Sequence, residues 1–183
     1  LELFTVDGPE TLDFDDALSV DFRDGKIEIG IHISDVSSVV SADSPLDREA
    51  MTRGSSLYLP RRQIPMFPPE LSHDRLSLVK GAERQALSLL VSFDLNGHIS
   101  DYRFAPSRVR VKEQMTYDQV NSVYEKGHDT VYHHLYRLAE KRRRYRIEQG
   151  ALILSLPELH IKVANSSVTI ELMSQDTPSR MLV

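Results

Sequence analysis

The chain of 183 residues contains no cysteine. That excludes disulfides, thiolate metal ligands and a cysteine nucleophile, and it fits an expected cytoplasmic, reducing setting. No apolar run approaches the roughly 18 residues of a membrane helix, and no basic-then-apolar leader opens the chain, so no membrane is expected as a partner. Internal repeats, low-complexity tracts and interdomain linkers are also missing. What is there, 40% apolar and 27% charged residues, suits one globular domain or a large piece of one.

The chain starts Leu1-Glu2-Leu3, without an initiator Met, and ends "TPSRMLV". There Thr177 and Pro178 read as the cap and first turn of a helix whose apolar run stops almost at once. The expectation is a piece of a longer protein, truncated at both ends.

Charge is unevenly spread. The net charge is −5, yet residues 1–50 hold thirteen acids against three bases, and the remainder fourteen against nineteen. An acidic pole beside a basic remainder fits a metal site next to a polyanion track. An uneven surface without a task fits equally well.

Alternating apolar and polar residues in "ALSVDF" and "IEIGIHIS" predict two strands around a turn at Asp24-Gly25. "SPLDREAMTRG" predicts a short helix: Ser44 caps it, Pro45 opens it, Asp47 sits in the first turn and Gly54 lies past the end. "SSLYLP" reads as a short strand, and the proline-studded "RRQIPMFPPELS" as an irregular connection. Two long strands follow around Asn96-Gly97. Thr116 caps a helix beginning "YDQV", and a longer helix is expected over 128–149. "ALILSLPELHIKVANSSVTIELM" returns to strands, with a turn at Asn165-Ser166. The sum is an α+β fold: a mostly antiparallel, hairpin-rich sheet with helices packed on it.

The chemistry concentrates in "TVDGPETLDFDDALSV". Asp7, Asp13, Asp15 and Asp16 stand at the spacing D-x5-D-x-D-D. Carboxylates a few ångströms apart repel unless cations or shared protons relieve them. Either these side chains splay into water or something positive belongs among them. In a regular strand Asp13 and Asp15 would share a face and Asp16 the other. Gly8-Pro9 forbids a continuous element from Asp7, so a loop that folds back is expected, and it would let all four converge. Oxygen ligands without nearby His or Cys suit Mg²⁺ or Mn²⁺ rather than Zn²⁺. An EF-hand is excluded, because its alternating acids, central glycine and terminal glutamate are missing. A cluster of this type suits metal-assisted phosphoryl chemistry.

Taken in order, "TVDGPETLDFDDALSV", "GIHISDVSSVV", "LDREAMTRGSSLYLPRRQIPMFPPELSHDRLSLV", "ERQALSLLVSFDLNGHI", "MTYDQV", "GALILSLPE" and "PSRMLV" resemble the ribonuclease II family catalytic domain across essentially the whole chain. The resemblance implies a metal-dependent exoribonuclease that degrades single-stranded RNA from its 3′ end to nucleoside 5′-monophosphates. It implies that residues 1–183 are the N-terminal portion of that catalytic domain, with flanking RNA-binding domains and a downstream arginine lying outside this chain. By the same resemblance Asp7, Asp13 and Asp16 are mainly metal ligands or their supports, and Asp15 is the acid most tied to catalysis. Tyr58 and Tyr117 match tyrosines that contact the terminal nucleotides. Without the family, Tyr58 reads as a half-buried strand residue and Tyr117 as a first-turn packing residue. Where degradative members carry an aromatic clamp, this chain has Ile153-Leu154, which offers apolar contact but no stacking face. A non-catalytic RNA-binding homologue that keeps the fold is the alternative.

Three further features carry two readings each. Arg108, Arg110 and Lys112 lie on one strand face, as phosphate contacts or as a solvated row. "EKRRRYR" (140–146) wraps its helix too fully for one patch and is expected to be solvated. His32 reads as a hydrogen-bonded strand histidine before it reads as a ligand.

Overall fold

The computed structural model describes residues 1–23, 26–60, 62–127, 130–154, 156, 158–164, 167–173 and 177–182. Five strands close into a barrel in the order β1 (Leu3–Asp7), β2 (Asp16–Arg23), β3 (Lys26–Ser34), β6 (Glu83–Phe93), β7 (Ile99–Thr116). Between β3 and β6 lie helix α1 (Pro45–Arg53) and a small hairpin of β4 (Leu57–Leu59) and β5 (Arg62–Ile64). After the barrel come α2 (Tyr117–Glu125), α3 (Val131–Glu148), a separate hairpin of β8 (Glu158–Ala164) and β9 (Ser167–Met173), and a short α4 (Pro178–Leu182). The expected α+β class holds. No helix among the described residues is long and apolar enough to cross a membrane.

Four of the five barrel junctions are antiparallel, as the alternating patterns predict. The fifth is not: β1 runs parallel to β7, with Thr5 opposite Gln114 and Asp7 opposite Thr116. That pair joins segments more than a hundred residues apart. It closes the sheet and sets the last residue of β1 beside the first turn of α2.

A five-stranded barrel is narrow, so its two faces take different residues. The face shared by Ala17, Ser19, Gly30, His32, Ala86, Ser88 and Ser107 is built largely from small or polar side chains around one imidazole, with Leu3, Leu90, Val109 and Val111 as its larger apolar members. Most of the larger apolar residues, Phe4, Val6, Leu18, Ile29, Val91 and Phe93, point the other way. They meet Val120 of α2 and Tyr132, Leu135 and Leu138 of α3 in the main core. Phe4 meets the edge of Tyr132 with ring centroids 5.0 Å apart.

On the small-residue face, His32 is 2% exposed and bridges two hydroxyls: Ser19 Oγ lies 2.9 Å from Nε2 and Ser88 Oγ 2.6 Å from Nδ1. Ser88 Oγ in turn lies 2.5 Å from Ser107 Oγ, and Ser107 donates to the Ala86 carbonyl at 3.1 Å. Because Ser107 spends its proton on a carbonyl, Ser88 must donate to Ser107. His32 Nδ1–H must then donate to Ser88, and Ser19 to Nε2. Burial pushes the imidazole down to about 4, which keeps it neutral and lets one nitrogen accept. His32 is thus the hydrogen-bonded strand histidine the sequence favours. Gly30 makes room for this chain: a Cβ there would stand 2.4 Å from Ser19 Oγ and 2.5 Å from His32 Nε2.

Local signals hold where the chemistry is strong. Ser44 Oγ accepts from Asp47 N at 3.2 Å, and Gly54 ends α1 with φ of 74°. Thr116 and Gln119 form a reciprocal capping box on α2. The β6–β7 turn falls at Asn96-Gly97, but Asp94 organises it: its carboxylate accepts from Asn96 N at 2.9 Å and His98 N at 2.8 Å. Gly97 adopts φ of 84°, a left-handed conformation that closes the turn. The turns at Asp24-Gly25 and Asn165-Ser166 lie outside the described residues.

Three expectations change. The connection read as irregular contains β5 and runs at its end into a π-type turn over Leu71–Arg75, closed by Leu76 N to Leu71 O at 2.8 Å. Residues 151–154 are not strand, and β8 starts only at Glu158. The basic run of α3 is not simply solvated. Lys141 donates to Leu95 O at 2.6 Å and Arg142 to Gly97 O at 3.3 Å, so two of its cations clip the β6–β7 turn onto the helix.

Two outcomes follow for the barrel interior. Gly30→Ala should destabilise the protein by ~1–3 kcal/mol through overpacking, lowering the thermal midpoint in a calorimetric scan. ¹⁵N NMR of the imidazole should show His32 neutral, with the proton on Nδ1, from pH 7 down to pH 5.

Candidate active site

β1 carries Phe4 and Val6 into the core and delivers Asp7 as its last residue, at the barrel rim. Gly8-Pro9 then turns the chain, with Thr11 N donating to Gly8 O at 3.2 Å. The loop runs through Asp13 and Asp15 and re-enters the sheet at Asp16, the first residue of β2. The expected fold-back loop is present. Backbone bonds hold its second half: Leu78 N donates to Phe14 O at 2.8 Å, and Ser34 N to Asp15 O at 2.9 Å. Asp15 is the one exposed residue among the four aspartates, and the other three are half-buried.

The four carboxylates sense one another. Asp7 is pushed up to about 6, first by desolvation and then by the charge of Asp16, with Asp15 and Asp13 adding. Asp15 is also raised, by desolvation and then by Asp13 and Asp16. Asp16 is raised by desolvation. This is a concentration of negative charge, partly removed from water. Among the described residues, however, no three Asp, Glu or His side chains already stand as a metal-binding group. The loop brings the acids into electrostatic range without closing them on one point.

Two tyrosines flank the loop. Tyr58, on β4, is 65% exposed, and its hydroxyl donates to Asp13 Oδ2 at 2.5 Å. Desolvation, reinforced by Asp13, raises the phenol to about 12, so it remains a donor at neutral pH. The half-buried strand reading of Tyr58 is therefore wrong, because its short hairpin stands off the barrel. Tyr117, opening α2, is half-buried, packs against the main core and lies beside Asp7 and Asp16. Its packing role and its place at the acids go together. All six candidate residues thus share one end of the barrel.

The family model for the RNB domain matches residues 1–183, the whole chain. The chain belongs to the RNB domain family. Ribonuclease R of Chlamydia trachomatis is 36% identical over 186 residues, an alignment covering 98% of this chain and 27% of that protein. The solved Mycoplasma genitalium RNase R in complex with ribose-methylated single-stranded RNA superposes with a TM-score of 0.91 at 26% identity, covering 100% of this chain and 30% of that one. Yeast Ssd1, described as a pseudonuclease, shares the fold alone: TM-score 0.74 at 24% identity over 85% of this chain and 19% of its own. The RNB domain chain therefore spans under a third of the length of these relatives. The resemblance to the ribonuclease II family stands.

Two residues at this end of the RNB domain, Gln63 and Arg180, were not singled out by the sequence. Gln63 Nε2 donates to Asp13 Oδ2 at 2.9 Å, joining Tyr58 on the same oxygen. It lies in the stretch read as irregular, and only the β4–β5 pairing of Tyr58 with Gln63 brings it round. Arg180 sits with its guanidinium carbon 5.6 Å from the Tyr117 ring centre and pairs with Glu158. Arg108 and Arg110 pair with Glu83 at 3.0 and 3.9 Å, and Lys112 pairs with Glu2, which favours the solvated-row reading of that face.

The Asp7 shift has a testable sign. Its folded-state pKa of about 6 lies above the ordinary 3.8, so the folded protein holds that proton more tightly than the unfolded chain. The associated stability is present below about pH 4 and is lost as pH rises through 6. In EDTA, Asp7→Asn should therefore raise the urea midpoint at pH 7.5, and the gap to wild type should vanish near pH 4.

Proposed function

We propose that the chain is the N-terminal portion of the catalytic domain of a metal-dependent 3′-to-5′ exoribonuclease, which hydrolyses single-stranded RNA to nucleoside 5′-monophosphates. The observation that carries this reading is the set Asp7, Asp13, Asp15 and Asp16 gathered at one barrel rim, three of them raised by desolvation, and flanked by two tyrosines. A cytoplasmic setting fits the cysteine-free composition.

The donor set suits Mg²⁺, with Mn²⁺ as a substitute: carboxylate oxygens are hard ligands, and like charge from Asp16, Asp15 and Asp13 adds to desolvation in raising Asp7 to about 6, a repulsion that a cation would relieve. Asp7, Asp13, Asp15 and Asp16 would hold the ion. When bound, a divalent ion supplies charge neutralisation at the phosphodiester and a lowered pKa for water. The residues themselves divide the remaining tasks. Tyr58 and Gln63 both donate to Asp13 Oδ2 and so fix the direction of that carboxylate. Asp15, the most solvent-accessible of the four, is the carboxylate most open to an ion arriving from solution. Tyr58 offers an exposed ring face and Tyr117 a partly exposed one, and stacking on bases tolerates any sequence.

A non-catalytic RNA-binding homologue would need the same fold and no acid set. Retention of all four aspartates weighs against it.

In the complete polypeptide, Asp15→Asn should lower turnover of single-stranded RNA by about a thousandfold or more while leaving RNA binding in place. On 3′-labelled RNA the wild type should release labelled mononucleotide at once with Mg²⁺ and none in EDTA. Wild-type turnover by the variant, or metal-independent release, would overturn the reading.

A further inference from the structure

The acidic loop is braced from below by a segment that takes no part in the chemistry. The π-type turn over Leu71–Arg75 leads into Leu76, Ser77 and Leu78, which are 4%, 0% and 0% exposed. Leu78 packs with Leu3, Ala17, Ala86, Val109 and Val111 in a second core cluster. Between the two leucines, Ser77 Oγ accepts from Phe14 N at 2.9 Å and donates to Leu12 O at 3.1 Å. With Leu78 N on Phe14 O at 2.8 Å, three bonds grip the residues immediately before and after Asp13. Arg84 ties the brace from outside. Its Nε donates to Asp74 O at 3.0 Å and Ser77 O at 3.1 Å, and its Nη2 meets Asp74 Oδ1 at 2.6 Å.

We infer that Ser77 is a positioning residue for the acidic loop: its hydroxyl spans Leu12 and Phe14 and sets the direction in which Asp13 and Asp15 leave the backbone. A serine fits this task because one oxygen accepts from an N–H and donates to a carbonyl together. Adjacent like charges push such a loop open, and a short irregular loop has no ladder of its own to resist. Ser77 supplies the missing pair of bonds. The inference rests on the exoribonuclease reading for its effect on turnover, but not for its effect on metal affinity.

The test uses the complete polypeptide. Ser77→Ala should lower kcat on single-stranded RNA by about 10- to 100-fold with KM changed less than about threefold, since misplaced groups cost turnover more than binding. Calorimetry should show Mn²⁺ bound about tenfold more weakly, in the range seen when supports of metal ligands are removed. Ser107→Ala is the control, because it also deletes a hydroxyl that hydrogen-bonds on the small-residue face of the barrel, yet lies off the loop; it should keep both values within twofold. Wild-type kcat and Mn²⁺ affinity in Ser77→Ala would overturn the inference, as would equal losses in Ser107→Ala. Should Ser77→Ala fail to fold, Arg84→Ala loosens the same brace from its far side and must weaken Mn²⁺ binding; unchanged affinity there overturns it. If the wild type binds Mn²⁺ but leaves RNA intact, the exoribonuclease reading fails and the affinity shift alone decides the role of Ser77. If it neither binds nor hydrolyses, both fall.

Discussion

The parallel pairing of β1 with β7 is the constraint on which the rest of the molecule depends. It is short, with Asp7 opposite Thr116 at its end, yet it converts an open antiparallel meander into a closed barrel. A closed barrel has no free edge to template aggregation, and its end becomes a fixed rim. Asp7 leaves the sheet at that rim, and Tyr117 begins α2 one residue beyond its partner. Without this pair, the acidic loop and the α2 tyrosine would belong to separate parts of the fold.

Closure has a second consequence, through volume. Five strands enclose little space, so one face is mostly small or polar, and most of the bulky apolar groups seek partners on the other. That explains why a buried histidine and three serines occur where a larger barrel would place leucines. A polar chain in such a place is tolerable only when every proton has an acceptor. The single direction of donation from Ser19 through His32 and Ser88 to Ser107 meets that condition. The outward-facing apolar set in turn demands α2 and α3, and α3 repays the contact by clipping the β6–β7 turn with Lys141 and Arg142.

Much of this was legible in the sequence, for identifiable reasons. Caps at Ser44 and Thr116, the glycine at 54 and the alternating strands act over a few residues, so local reading finds them. The acidic loop was legible because Gly8-Pro9 forbids regular structure between Asp7 and Asp13. What stayed hidden acts at long range. Barrel closure joins residues over a hundred positions apart, and no pattern in β1 announces a parallel partner. Gln63 reaches Asp13 only because β4 and β5 pair, and a three-residue strand has no periodicity to detect. The cations of α3 looked solvated since a helical wheel cannot show a neighbouring turn. Tyr58 was misjudged for a similar reason: its strand belongs to a small hairpin that stands off the barrel.

The site shows why stability and chemistry pull in opposite directions here. Desolvation raises Asp7, Asp15 and Asp16, and repulsion from neighbouring acids adds to it at Asp7 and Asp15, so as folded protein these acids are a cost at neutral pH. A fold selected for stability alone would replace them or turn them to water. This one holds the loop backbone instead, through Ser34, Ser77 and Leu78, and spends two donors, Tyr58 and Gln63, on a single oxygen of Asp13. Hydrogen bonds to the backbone resist the spreading that repulsion favours, and only the Asp13 carboxylate is itself held, by neutral donors that leave its charge in place. The charge is therefore confined without being neutralised. Confinement without neutralisation is what a site needs if its counter-charge arrives from solution, because binding then recovers the free energy that repulsion withheld from folding.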